Sequence, residues 1–104
     1  MNDGAIGIWL IGAWGGVATT VATGLAALQS GLTNTVGLVS ELPKFSRLDL
    51  VPWGRFVLGG HEIRKTSYVV EARNLLLHSR VFTADLLAKV QALPQVKQAK
   101  ALVF

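Results

Sequence analysis

No cysteine occurs among the 104 residues, which excludes disulfide bridges and thiol chemistry and agrees with a cytoplasmic protein. Two histidines without a thiol partner lead us to expect no metal site. The sharpest lack is charge. No Asp, Glu, Lys or Arg stands between Asp3 and Glu41, so residues 4–40 form 37 consecutive uncharged positions that hold eight of the eleven glycines. A chain that is 51% hydrophobic, with mean hydropathy +0.46, is excluded from the disordered class. Its length allows one core.

The uncharged run raises the question of a membrane. A secretory signal needs basic residues ahead of its apolar stretch, whereas this chain starts Met1, Asn2, Asp3 and has no Lys or Arg before Lys44. Residues 6–28 are long enough to span a bilayer, and Gly12 and Gly16 have the G-x-x-x-G spacing of lipid-embedded helix pairs. Five glycines and three threonines interrupt that stretch, however, and glycine falls where a strand-turn-helix needs it. We therefore expect no membrane span. Divided by period, residues 5–11 (Ala5, Ile6, Gly7, Ile8, Trp9, Leu10, Ile11) read as a strand buried on both faces of a parallel sheet. Residues 12–16 form a glycine-rich turn. From Val17 the spacing of Val17, Val21, Leu25 and Leu28 puts those residues on one side of a predicted helix, Ala18, Ala22 and Ala26 should let it approach a sheet closely, and Gly31 stands where the helix C′ residue belongs. Residues 35–40 read as a second buried strand. The predicted fold class is α/β, an incomplete Rossmann-like βαβ unit with a parallel sheet, its core at 5–41.

Such a turn collects free backbone N–H groups and the positive end of a helix dipole, which is chemistry suited to a phosphate or pyrophosphate. Gly12, Ala13, Trp14, Gly15, Gly16 and Val17 are the candidate contacts, with hydroxyl donors from Thr19 and Thr20. The strict G-x-G-x-x-G pattern is not met, because its second and third glycines would fall on Trp14 and Val17, and no G-K-[ST] follows. The other reading is that these glycines only allow tight packing of strand against helix. Glu41, directly after the predicted second strand, is a candidate acceptor for ribose hydroxyls, or else a solvated strand end.

Residues 43–53 carry two of the three prolines and read as an excursion from the core. A strand at 55–58 should follow, ending in a turn through Gly59, Gly60, His61, Glu62, Ile63 and Arg64. Helices are predicted at about 67–79, capped by Thr66 or Ser67 with Tyr68, Ala72, Leu75 and Leu76 inward, and at 83–93, capped by Thr83 and stopped by Pro94. The chain finishes on the apolar run Ala101, Leu102, Val103, Phe104, which predicts a tucked end. From Glu41 onward there are ten basic and five acidic residues. They are spread singly without aromatic interleaving, so we expect a solvated face or attraction of a phosphorylated small molecule rather than nucleic-acid binding. Unpaired sheet edges predict a homo-oligomer.

Residues 8–20, followed by 35–39 and by Phe56, Val57, Leu58, Gly59, Gly60, His61, Glu62, Ile63 and Arg64, resemble the N-terminal part of bacterial inositol-3-phosphate synthases. The likeness runs from about Ala5 to Val90. It implies a Rossmann-type domain that binds NAD, in an enzyme converting glucose 6-phosphate to an inositol monophosphate by transient oxidation, enolisation, aldol closure and return of the hydride. Gly12, Gly15 and Thr20 match the family's phosphate turn, and Glu62 falls at an acidic position implying a contact to the nucleotide. Trp14 and Ala18 stand where eukaryotic members have glycines, and Gly16 and Val17 replace paired asparagines. The resemblance also places the proton-transferring lysines and the substrate-covering domain outside these residues. The chain is thus expected to be a fragment that holds a dinucleotide, with no catalytic residue of its own. The alternative is a free-standing or degenerate nucleotide-binding module.

Overall fold

The computed structural model describes residues 4–97 and 102–103. Strand β1 (Ile6–Ile11) leads through residues 12–15 into helix α1 (Gly16–Gln29). Three 3-10 turns follow, Val39–Glu41, Pro43–Phe45 and Trp53–Arg55, before strand β2 (Phe56–Glu62). Helices α2 (Tyr68–His78), α3 (Ala84–Gln91) and α4 (Pro94–Lys97) lead to a two-residue strand, β3 (Leu102–Val103). The sheet order is β1-β2-β3, all parallel, with Ile6 opposite Phe56 and Ile11 opposite His61. An α/β fold built on a βαβ unit is therefore present.

The unit is assembled from different residues than the sequence predicts. Residues 35–40 are not a strand. Asn34 Oδ1 accepts the Val36 N–H at 3.1 Å, the Leu38 N–H reaches the Thr35 carbonyl, and Gly37 adopts φ +90°. These local turns consume the groups a ladder would need. The chain instead returns to the sheet at β2, which extends four residues beyond the predicted 55–58. Gly59 and Gly60 lie inside that strand rather than in a turn after it.

Only one face of the sheet is covered among the described residues. Along β1, Ile6, Ile8 and Leu10 are half-buried, while Gly7, Trp9 and Ile11 are exposed, and Val57 of β2 is exposed beside them. The expectation of a strand buried on both faces is corrected accordingly. Helix α1 does not bury its valine side, although Ala26, one of the three alanines expected to allow close packing, is buried. Its buried residues are Thr19, Thr23, Ala26 and Ala27, whereas Val17 is 82% exposed. Small side chains bring α1 close to α2 and α3, and Thr23 Oγ1 sits 2.7 Å from the Tyr68 hydroxyl.

Termini of the helices follow the sequence closely. Ser67 caps α2 by accepting from the Val70 N–H, and Thr83 caps α3 by accepting from the Leu86 N–H. Gly31, at φ +69°, ends α1 in a Schellman motif, with the Leu32 N–H donating to the Ala27 carbonyl and the Gly31 N–H to that of Leu28. Leu32 then packs on the cluster of Ala26, Ala27 and Val90. A second cluster joins Ala13, Trp14, Tyr68, Ala72, Phe82 and Leu87. Of the apolar C-terminal run, Leu102 and Val103 pair with His61 and Glu62, and Ala101 and Phe104 lie outside the described residues. No helix among the described residues is long and apolar enough to cross a membrane.

Candidate functional site

The glycine turn joins the C-terminal end of β1 to the N-terminus of α1, against the end of β2. Gly12 has φ +79°, a conformation suited to glycine. The N–H groups of Gly12 and Ala13 both donate to the His61 carbonyl, at 3.0 and 2.9 Å, and Gly15 N–H closes the turn on the Gly12 carbonyl. The first intrahelical bond runs from Thr19 N–H to the Gly15 carbonyl. Three amides therefore precede the helical ladder, those of Gly16, Val17 and Ala18, and they point out of the N-terminus where the helix dipole is positive.

Gly60 explains how the turn comes so close to β2. A Cβ there would lie 2.5 Å from the Leu10 carbonyl oxygen and 2.8 Å from Ala13 Cβ. Trp14, which the sequence reading placed among the ligand contacts, is instead buried, packed on Tyr68 with ring centroids 5.7 Å apart. Its backbone remains part of the turn and is held from both sides. The Trp14 N–H donates to Glu62 Oε1 at 3.1 Å, and the Trp14 carbonyl accepts from Arg64 Nη2 at 3.0 Å.

Glu62 is the last residue of β2 and is buried. Its carboxylate accepts from the Trp14, Ile63 and Arg64 backbone N–H groups and from Nε and Nη2 of Arg64. Five donors exceed the roughly four lone-pair sites of a carboxylate, so Glu62 in this arrangement is saturated. Arg64's side-chain hydrogen bonds outweigh burial and, with the Arg64 and Trp14 amides, lower the Glu62 pKa to about 2. The same bond raises the Arg64 pKa. Arg64 also reaches Glu71 of α2 at 2.9 Å, so one guanidinium ties the glycine turn, the end of β2 and α2 together.

The candidate residues divide as follows. Gly12, Ala13, Gly15, Gly16 and Val17 are gathered at the turn, and Glu62 is joined to it through Trp14. The Thr20 hydroxyl donates to the Gly16 carbonyl at 2.8 Å, so it reaches a phosphate only by giving up that bond. Thr19 is fully buried and cannot supply a donor at the mouth. Glu41 lies in a 3-10 turn of the excursion, where its carboxylate accepts from Trp53 Nε1 at 2.8 Å, and no strand carries it toward the glycine turn. The residue missed from sequence is Arg64. Its spacing two residues after Glu62 was visible, but its reach to Trp14, fifty positions earlier, was not.

The residues present fit the pyrophosphate part of a dinucleotide, through three outward amides on an uncharged, glycine-lined turn. Neither candidate carboxylate, Glu41 or Glu62, is free for ribose hydroxyls in this arrangement. No group of three or more His, Cys, Asp or Glu able to hold a metal exists among the described residues. Beneath the turn, between α1 and β2, lies a cavity of about 590 Å³ lined by apolar groups and by Tyr68, Gln29 and Gln95. Compared with known families and with curated proteins, the chain matches no family model and no curated protein.

Proposed function

We propose that this chain is the NAD-binding portion of an inositol-3-phosphate synthase-like enzyme, cytoplasmic, holding the dinucleotide pyrophosphate on the Gly16, Val17 and Ala18 amides. The observation that carries this reading is the turn itself: a glycine-rich link between parallel β1 and α1, with three amides free ahead of the helical ladder. The likeness of residues 8–20 and 56–64 to that family supports the choice of NAD and, more distantly, of a sugar phosphate as the substrate of the complete reaction. NAD, when bound, supplies a hydride acceptor. The described residues supply binding and orientation, and no described set of a base and a cation stands over a substrate position, so the chain alone should not turn over glucose 6-phosphate.

Saturation of Glu62 favours a second reading, a degenerate module that holds a phosphate group without recognising the ribose. One titration separates them. The Gly16→Pro variant places proline at the first helical position, where it is tolerated, while removing one phosphate-facing amide. NAD should shift tryptophan emission and raise the melting temperature of the parent chain, and Gly16→Pro should weaken binding about tenfold, the worth of one charge-assisted hydrogen bond. Inorganic pyrophosphate binding as tightly as NAD would establish the degenerate module. No response to millimolar NAD or pyrophosphate would refute both.

A further inference from the structure

A glycine-rich turn holds its own shape poorly. Gly12, Gly15 and Gly16 lack the Cβ that narrows backbone choice, so ordering them costs more than ordering other residues. Were the turn loose in the free chain, an anion needing the Gly16, Val17 and Ala18 amides in one place would meet that cost on binding. The fold meets it beforehand. Gly12 and Ala13 are tied to the His61 carbonyl and Gly15 to that of Gly12. Between them, Trp14 gives its N–H to Glu62 and its C=O to Arg64. The peptide planes on both sides of Trp14 are thereby fixed, and the second leads directly into Gly15, the N-cap of α1.

Arg64 needs an anchor of its own, because its long side chain is 51% exposed. Glu71 supplies one. From the first turn of α2 its Oε1 accepts Arg64 Nη1 at 2.9 Å, while Oε2 accepts Asn74 Nδ2 at 3.3 Å. The guanidinium fork is then spread over three partners: Nε and Nη2 on Glu62, Nη2 also on the Trp14 carbonyl, and Nη1 on Glu71. A lysine, with a single ammonium, has no such fork. Helix α2 thus braces Trp14 twice, at the ring through Tyr68 and at the backbone through Glu71 and Arg64. An ion pair this exposed contributes little to stability; what it can fix is geometry.

Resting on the pyrophosphate reading above, we propose that Arg64 and Glu71 are positioning residues of the anion site. They act without touching the ligand, by holding the Trp14 backbone so that the three amides stand ready before an anion arrives. Charge makes this reading separable from a merely electrostatic one. Glu62, Glu71 and Arg64 together place two carboxylates and one guanidinium beside the turn. By charge alone, removing the Glu71 carboxylate should strengthen anion binding. By positioning, binding should weaken once Nη1 loses its acceptor.

The test compares Glu71→Met with Glu71→Gln in the full chain, with inorganic pyrophosphate and NAD as probes. Both remove the same charge and keep a long unbranched side chain suited to a helix; glutamine keeps an acceptor for Nη1, and methionine does not. Glu71→Met should weaken pyrophosphate binding about tenfold, the scale of one lost charge-assisted hydrogen bond in the preorganised turn. Glu71→Gln should restore it to the parent level or above. Arg64→Lys keeps the charge, loses the fork and should weaken binding by a similar factor. Without any ligand, amide exchange at Trp14 and Gly15 should quicken in Glu71→Met and Arg64→Lys, while residues 7–10 of β1 and the far-ultraviolet circular dichroism stay unchanged. A parent chain that binds neither probe would overturn the reading of the turn and this inference with it. If the parent binds, the inference alone fails on any of four results: Glu71→Met binding as tightly as the parent, Arg64→Lys matching it, unchanged exchange at Trp14 and Gly15, or unfolding of either variant, which would make the pair structural.

Discussion

An added methyl group at Gly60 has no space to enter. Its nearest atoms are the Leu10 carbonyl oxygen and Ala13 Cβ, both parts of backbone-anchored structure that cannot rotate aside. Gly60→Ala should therefore cost about 3 kcal/mol, the scale of overpacking a rigid site, and lower the melting temperature by more than about 10 °C in a chain of this size. At Gly59 the obstacle is the Trp9 ring, 3.1 Å from an added Cβ. That side chain is half-exposed and can shift, so Gly59→Ala should cost under about 1 kcal/mol; chemical denaturation of the two variants tests the contrast. Thr19 gives the opposite sign. Its buried Oγ1 has no hydrogen-bond partner, so Thr19→Val keeps the shape, removes an unsatisfied hydroxyl and should stabilise by about 1 kcal/mol. For Glu62 the folded pKa is lowered from 4.5 to about 2. Stability from this carboxylate is complete above about pH 4.5 and is lost progressively as pH falls toward 2. The urea midpoint should drop across that window, and Glu62→Gln should lower it at neutral pH while flattening its acid dependence.

Elements whose ends are marked by local chemistry were legible in the sequence. Ser67 and Thr83 cap where their positions before apolar periodic runs indicate, Asp85 and Lys89 pair at 3.1 Å across one turn, and Gly31 closes α1. In the Schellman motif the left-handed φ of Gly31 is required, so Gly31→Ala should cost about 1 kcal/mol in thermal unfolding, while a glycine at ordinary φ tolerates alanine. Elements decided by distant partners were not legible. The spacing of Val17 and Val21 marked one side of α1 but not which side faces inward: Thr23 gains the Tyr68 hydroxyl and the Thr19 carbonyl, and two buried alanines allow a close approach. Residues 35–40 have strand-like composition, and the Asx turn at Asn34 with Gly37 at positive φ overrides it. The glycine turn was legible as a strand-to-helix link because its glycines and the change of period are local. The clamp of Glu62 and Arg64 that holds it was not, since it joins β2 to Trp14 across 48 residues.

At the scale of the whole molecule, charge is unevenly distributed. Residues 4–40 carry no formal charge, and the excess of basic over acidic residues belongs to the rest of the chain. A dinucleotide brings negative charge to a helix N-terminus on a positively charged molecule, an attraction that shortens with the Debye length from about 30 Å at 0.01 M to about 3 Å at 1 M. Raising sodium chloride from about 0.05 to 0.5 M should thus weaken NAD binding several-fold, as read by tryptophan fluorescence across that series. A salt-insensitive affinity would mean that the nucleotide is held by apolar contacts, for which the cavity of about 590 Å³ between α1 and β2 offers a place.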